Sequence, residues 1–513
     1  MNATTLRIAL RADASTLCGT GHVRRCLSLA AALREIGAEV RLVTRRLGLD
    51  MSAMACMAGV DSHLLSAPTS TFASHDKVPH ATWAGVDWRQ DAAQTTDALL
   101  AWEPDCVVVD HYAFDARWHR HVADQLGARI AAIDDLADRS LEVQYLIDHN
   151  LSRDHHEKYR TWIGPHTTVL GGPRFALLGP SYSTLQPLRV DDTVNSIGIF
   201  MGGVDAANLS TLALQACREY AGFTGPIEIA ATPAYPHLAF LAGLACRWPD
   251  TTVVCDLPDL SGFFTRHDLQ IGAGGGATWE RCCAGAPTLT LTAAANQRAV
   301  IPALADLGAV ATLEYKDGEE YSPEVIGLAV SALLNHPARR RNLARCARAL
   351  VDGLGARRVA FALAAGSLKL RRALPSDAVR TFAWRNHPST RRFSRDSREL
   401  TLEEHRNWWQ SMLADRQHVL FVADLGPYDV GVLRLDLDGE DAEISVYLDP
   451  AFTGLGLGQA MLRAAQRWAR DNPTPAIKRL VAHILPSNAV SRKAFTSVGF
   501  EPTEGYWIWN VVA

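Results

Sequence analysis

The run LRIALRADASTLCGTGH (Leu6–His22) decides the fold. Its short apolar start, interrupted by Arg7 and closed by Arg11, has the length of a buried strand, and Gly19-Thr20-Gly21-His22 then opens a helical pattern that predicts a helix over 23–36. Strand, glycine loop and helix in that order form the opening unit of a parallel α/β sheet. Backbone N–H groups and a helix N-terminus there converge on the ligand edge, which suits an anion. The spacing matches only half of a dinucleotide fingerprint. Arg24 stands where a third glycine belongs, and the next strand, 40–44, runs into Arg45-Arg46 without a ribose-binding acid, so a nicotinamide cofactor fits poorly.

Outward from that unit the same alternation continues. Strands are expected over 106–110, 130–134 and 145–148, each closing on an aspartate (Asp110, Asp134, Asp148) at the edge where open α/β sheets bind ligands. A proline-containing stretch over 180–192 separates this series from a second one, expected over 196–201, 227–230, 252–256, 269–272 and 287–291. The reading is therefore two Rossmann-like domains, 1–185 and 186–365, with a ligand cleft between them. Residues 366–375 mix Gly, Ser, Lys and Arg and read as a linker. The remainder, 376–513, changes rhythm to α+β: a helix over 402–413, strands over 419–423, 430–437 and 442–448, a glycine loop with a helix, and a strand over 480–485.

With 513 residues, 48% hydrophobic and 21% charged, the chain has room for about three globular units. A net charge of -4 gives no global reason to expect a nucleic-acid partner. Residues 1–10 lack the unbroken apolar core of a signal peptide, and no run approaches the ~18 apolar residues of a membrane span. The ten cysteines have no metal-type spacing, and the adjacent Cys282 and Cys283 read as small buried thiols. The expectation is a cytosolic protein that uses no membrane and no metal.

Particular residues carry chemistry. An imidazole such as that of His22 can draw a proton from water at neutral pH, although a helix-start histidine can equally do no more than brace its loop. Two glycine loops in the second domain, Gly202-Gly203 and Gly272–Thr278 with Gly274, Gly275 and Gly276, each precede a helix and let backbone approach a diphosphate. Glu280 follows the second loop, where a carboxylate can accept both hydroxyls of a ribose; Asn296 and Gln297 offer amide contacts. Asp13, Asp110 and Tyr112 lie on ligand-edge positions and are either sugar-binding groups or satisfied loop residues.

The stretches Arg11–Ser15, Gly19–His22 with Arg25-Cys26, Asp134-Asp135, Met201–Asp205, and Gly272–Cys283 with Asn296-Gln297 resemble the UDP-sugar hydrolases of pseudaminic acid biosynthesis, the PseG type, over residues 5–365. The resemblance implies a fold like that of the MurG-like glycosyltransferases, with the two domains in a glycosyltransferase-B arrangement. It also implies removal of UDP from UDP-2,4-diacetamido-2,4,6-trideoxy-β-L-altropyranose by water. His22 would then be the base, with Gly19, Gly21, Arg25, Thr278, Glu280 and the glycine loops around the substrate. Inversion at the anomeric carbon and no metal are expected.

In the last domain the loop Thr453-Gly454-Leu455-Gly456-Leu457-Gly458 and the run Asn488–Phe500 look like the GNAT family of acyl-CoA transferases, over residues 374–513. The resemblance implies acetyl-CoA as cosubstrate, received by Val446 and Leu448 on the strand before the loop, by Gly454, Gly456 and Gly458, and by Asn488. The chain departs from that family at Thr453, where Arg or Gln is usual, and at Phe495, where a tyrosine often serves as general acid; Tyr447 or water would then replace it. Glu443 is the leading candidate for the base, although a plain strand-face acid is the stronger reading of it. The stretch Trp384-Arg385-Asn386, with Arg391, Arg392, Arg395, His405 and Trp408-Trp409, resembles the PseH type, which acetylates the 4-amino group of a UDP-linked dideoxy sugar. The fusion would join consecutive steps on a UDP-linked amino sugar. The alternative is a MurG-like glycosyltransferase carrying a non-catalytic, acetyl-CoA-sensing domain.

Overall fold

Strand β1 (Arg7–Ala12) is central to its sheet, with Ile8, Ala9 and Leu10 fully buried between parallel neighbours on both sides. The computed structural model describes residues 5–15, 17–70, 72–73, 77–255, 257–315, 320–472 and 477–511. The first four residues, the expected strand end Asp256, and Val512-Ala513 lie outside them. From β1 the chain steps outward through β2 (Glu39–Leu47) to β3 (Asp61–Leu65). It then crosses to the other side of β1 and lays down β4 (Cys106–Asp110), β5 (Arg129–Ile133), β6 (Tyr145–Asp148) and β7 (Thr168–Gly171). The order β3-β2-β1-β4-β5-β6-β7 reverses direction between β1 and β4, and this switch point is where doubly wound sheets open a crevice for ligand. Strands β3 and β7 were absent from the sequence reading. Both lie towards the rim of the sheet, and β3 alternates exposed and part-buried positions, so neither carries the apolar run of a central strand.

The second sheet repeats the plan. Strands β8 (Ile197–Phe200), β9 (Ile227–Ala231), β10 (Thr251–Cys255), β11 (Leu269–Ala273), β12 (Thr288–Leu291) and β13 (Ala311–Thr312) assemble in the order β10-β9-β8-β11-β12-β13, all parallel. Its switch point lies between β8 and β11, the strands that lead into the two glycine loops.

The third sheet corrects the linker. Within 366–375, β14 (Lys369–Arg372) pairs antiparallel with β15 (His418–Leu425), from Lys369 opposite Asp424 to Arg372 opposite Phe421. Arg371 is anchored by Asp377 at 2.8 Å and Asp429 at 3.0 Å. Edge strands carry charges that discourage further pairing, so their composition imitates a linker. The contacts divide the chain into two compact units, one of residues 7–34 and 39–357 and the other of 358–513 together with 35–38 and the residues before Arg7.

In the second unit β15 continues into β16 (Tyr428–Asp438) and β17 (Asp441–Leu448), then β18 (Arg479–Ala482), with β19 (Glu501–Pro502) and β20 (Trp507–Asn510) at the far edge. Leu420 and Val422 of β15 face a core with Trp384 and Trp409, while Phe421, between them, turns to Trp468 on the other face, the period-two alternation of a strand covered on both sides. No helix among the described residues is long and apolar enough to cross a membrane.

Candidate active sites

At the switch point of the first sheet, helix α1 (Gly21–Glu35) starts directly above the carboxyl end of β4. His22 and Arg25 are one turn apart, so both reach Asp110. Nδ1 of His22 lies 2.6 Å from Oδ1 of Asp110, and Arg25 binds both carboxylate oxygens, with Nη2 2.6 Å from Oδ1. Burial pushes Asp110 up, but Arg25 and His22 outweigh it and hold the carboxyl well below the usual range, so it is an anion throughout the neutral region. An anionic acceptor at 2.6 Å fixes the ring hydrogen on Nδ1. The 3.1 Å approach of Arg25 Nη2 to the same nitrogen is the weaker contact, since that group already donates to Asp110. Nε2 has no protein partner among the described residues. His22 keeps 8% exposure while Asp110 has none, so of the pair only the imidazole reaches the surface.

Tyr112 lies edge-on to His22, ring centroids 4.8 Å apart, and donates its hydroxyl to Asp135, which Asn150 holds at 2.8 Å. Gly19 and Gly21 line the loop beside them with open space where a Cβ would stand. The structure therefore brings together Gly19, Gly21, His22, Arg25, Asp110 and Tyr112, and adds Asp135, to which the sequence reading gave no role. Arg25, expected on the substrate, is turned onto Asp110 and positions it.

Asp13 needs correction. It is fully buried, 2.5 and 2.8 Å from Nη1 and Nη2 of Arg11, and it accepts from the Arg45 amide at 2.6 Å, with His111 Nε2 at 3.2 Å. Its lone pairs are taken by a core ion cluster, leaving none for a sugar.

In the second sheet Gly202 and Gly203 follow β8, but the next helix, α2 (Leu209–Gln215), is already capped: Asp205 accepts from the amides of Leu209 and Ser210 at 2.9 and 2.8 Å. Of these two helices, the one after β11, α3 (Ala277–Ala284), has an N-terminus with no side-chain cap among the described residues. The two helix termini expected to share a diphosphate thus reduce to one. Gly275 and Gly276 are exposed at it. Gly274 is not part of the open cradle, because a Cβ there would meet Ile301 at 2.6 Å. Thr278 is 1% exposed and is bound by Arg281 Nη2 at 3.1 Å, so its hydroxyl serves the fold. Gln297 accepts from the Ala293 amide at 2.8 Å and shapes its loop, while Asn296 is exposed. Glu280 is half-buried beside Tyr182, and burial, only partly offset by Arg281 and Arg24, raises its carboxyl to about 7. Arg24 stands on α1, so charge from the first sheet's helix reaches the second sheet's acid.

The second unit carries its own site. Strands β17 and β18 pair in parallel only from Asp441–Arg479 to Glu443–Val481; beyond Glu443, residues 444–448 keep β16 as their single partner strand. Val446 and Leu448 are on that unpaired edge, where strand N–H and C=O groups remain for a ligand amide. The loop beyond it alternates: Leu455 and Leu457 are buried at 2% and 0% and pin the loop, while Gly454 and Gly456 between them are exposed. Both glycines have positive φ, 80° and 77°, which side chains resist. Helix α4 (Leu457–Asp471) then begins with no side-chain cap, and Gly458 sits in its first turn with room around it. Uncapped amides, a glycine loop and an open strand edge fit a pantetheine diphosphate. Asn488 uses Oδ1 to cap its own helix through the Ser491 amide at 3.1 Å, which fixes its amide group.

Glu443 is ion-paired with Arg395, which competes with service as a base. Phe495 is 4% exposed and packs edge-on against Phe500, centroids 4.9 Å apart. Asn386 clamps the backbone of Leu400, and Arg391 faces Glu399 at 3.7 Å. The helices Asp377–Asn386 and Leu402–Ala414 and the strands carry buried polar atoms that have no partner among the described residues: Arg385 Nη1 and His405 Nδ1 on the helices and Arg434 Nε on β16. Burial pushes the Tyr447 phenol up and, with Arg385, holds His405 near 4, so at neutral pH the imidazole is uncharged. Arg434 has no sequence signal, since a lone arginine in a strand looks like a surface charge.

The profile of the family described as "Acetyltransferase (GNAT) domain" matches residues 367–501, from β14 through the glycine loop to β19. The C-terminal unit carries a GNAT acetyltransferase domain. Among solved structures, the aminoglycoside acetyltransferase AAC(6')-Ib in complex with coenzyme A is 19% identical over 28% of this chain and 94% of its own, TM-score 0.25. A domain from Methanocaldococcus jannaschii DSM 2661 is 26% identical over 28% and 97%, TM-score 0.25. MurG of Acinetobacter baumannii is 14% identical over 69% of this chain and 98% of its own, TM-score 0.48. No curated protein matches the chain.

Proposed function

We propose that the first unit is a UDP-sugar hydrolase and that the GNAT domain acetylates the 4-amino group of the same UDP-linked sugar one step earlier, as in pseudaminic acid biosynthesis. The observation that carries the hydrolase reading is the His22–Asp110 pair at the switch point, with Nδ1 held by a buried carboxylate and Nε2 left open. Nε2 takes a proton from water, the water oxygen forms a bond to the anomeric carbon, and the bond from that carbon to the diphosphate breaks. The electron pair leaves on UDP, and inversion follows from attack on the opposite face. The uncapped terminus after Gly275-Gly276 stabilises the departing charge, and Glu280 takes the ribose hydroxyls. In the GNAT domain, the edge at Val446 and Leu448 and the Gly454–Gly458 loop hold acetyl-CoA; the amine nitrogen bonds to the acetyl carbon, the thioester C–S bond breaks, and CoA leaves as a thiol with the proton given up by the amine. The unpartnered N–H groups of Arg385 and Arg434 favour an acceptor with anionic groups.

The test is UDP release from UDP-2,4-diacetamido-2,4,6-trideoxy-β-L-altropyranose with no acceptor present. Free sugar and UDP support hydrolysis; release only when an acceptor hydroxyl is added assigns a glycosyltransferase.

Two further results are expected. The carboxylate of Glu280, not the acid, accepts ribose hydroxyls, and with its pKa at about 7 the ionised fraction grows as pH rises. UDP affinity, measured by calorimetry, should therefore strengthen severalfold between about pH 6 and pH 8, and Glu280→Gln should flatten that part of the profile. In the GNAT loop, Gly456→Val places a side chain at φ 77° among the cradle amides and should raise the KM for acetyl-CoA about tenfold or more. Gly439→Val, equally strained at φ 60° but in the β16–β17 turn, should leave that KM unchanged.

A further inference from the structure

Three rings gather beside His22, and two of them, Trp83 and His80, have no part in the Asp110 network. Trp83, on the short helix Ala81–Ala84, lies nearly perpendicular to His22, with centroids 6.4 Å apart, and leans on Tyr112 at 5.8 Å. His80, just before that helix, packs on Trp83 at 4.6 Å and approaches Tyr112 at 5.9 Å. Both are half-buried, so each keeps ring surface exposed. The segment arrives from the carboxyl end of β3, on the same edge of the sheet as the loop before His22. A polar wall would suffice to seat a water molecule. Aromatic surface beside a general base instead offers a platform for C–H groups and takes bulk water away from the reacting carbon.

We propose that Trp83, flanked by His80, is the positioning surface for the glycosyl group. It packs against an apolar sugar face, one bearing a methyl in place of a hydroxymethyl, and sets the anomeric carbon before Nε2 of His22. This rests on the UDP-sugar reading of the site and adds how the sugar, as distinct from the nucleotide, is selected. The groups expected to bind UDP stand on the second sheet, so sugar recognition and nucleotide recognition are separable by mutation.

The experiment compares wild type, Trp83→Ala and Trp83→Phe on two UDP-sugars that differ only in a 6-deoxy against a 6-hydroxy group, together with the inhibition constant of UDP. Trp83→Ala should raise KM for the 6-deoxy sugar about tenfold, lower the preference for it over the 6-hydroxy sugar, and leave UDP inhibition within about twofold; Phe should restore most of the loss. Equal weakening of UDP and UDP-sugar would overturn the proposal, as would a fall in kcat at unchanged KM, which would place Trp83 with His22. Should wild type release no UDP from either sugar, calorimetry separates the two ideas. Tighter binding of the 6-deoxy UDP-sugar than of UDP, lost in Trp83→Ala, sustains the platform while hydrolysis fails; no such excess affinity sinks the platform itself.

Discussion

His22→Ala should lower kcat for UDP release about 10³-fold while leaving UDP inhibition nearly unchanged, because a positioned general base contributes roughly that factor and no group proposed to hold the nucleotide is altered. Acetyl transfer by the second unit of the same chain should be retained, and the unchanged UDP inhibition checks that the first unit is folded. Asp110→Asn is the sharper companion. An amide can present its N–H₂ to Nδ1, which moves the ring hydrogen to Nε2 and leaves no acceptor for the proton of water. A loss close to that of His22→Ala is therefore expected despite an intact imidazole. Arg25→Gln should fall between, since it removes a cation that holds Asp110 ionised but leaves the 2.6 Å contact to His22 in place. If His22→Ala retains full UDP release, the base lies elsewhere and the Asp110 pair is structural.

The three-part α/β, α/β, α+β organisation was legible because apolar strands and glycine loops alternate at regular spacing, and most expected strands differ from the observed ones by only a residue or two at their ends. What escaped were elements whose composition is set by an edge. Lys369–Arg372 lies at the margin of its sheet, and the polar Asp61–Leu65 is half-exposed near the rim of its own. The site divided similarly. His22, Arg25, Asp110 and Tyr112 were all within reach because they follow strands that end at one switch point. How they pair was not, since it depends on which carboxylate faces which cation across 85 residues of sequence. Thr278 sits in a ligand-type motif yet turns inward to Arg281, a choice decided by a buried guanidinium that a helical arginine does not advertise. Trp83 and His80 belong to a loop with neither glycine pattern nor periodicity, so only the folded chain brings their rings to the histidine.

Asp13 shows how a residue at a ligand-edge position can belong wholly to the core, and its replacement should be the most destabilising single change in the first sheet. Arg11, Asp13, Asp91 and Arg45 are all essentially without exposure, and the carboxylates bridge the cations: Asp91 lies 2.6 Å from Arg11 and 2.8 Å from Arg45, and Asp13 completes Arg11 from the other side. Asp13→Ala leaves two buried guanidinium groups sharing one carboxylate, and uncovering a buried charge costs about 3 to 5 kcal/mol. The thermal transition of the first unit should fall by about 10 °C. The pH dependence carries the sign. Burial raises Asp13, but Arg11 and His111 more than offset it, so its folded pKa is far below the unfolded value of about 3.9. The stabilisation is complete above that unfolded value and is lost as pH falls towards the folded one. Wild type should therefore lose stability on acidification below about pH 4 more steeply than Asp13→Asn, which has no carboxyl to protonate. A variant that melts like wild type but binds UDP-sugar more weakly would return Asp13 to the substrate site and show that the cluster tolerates its loss.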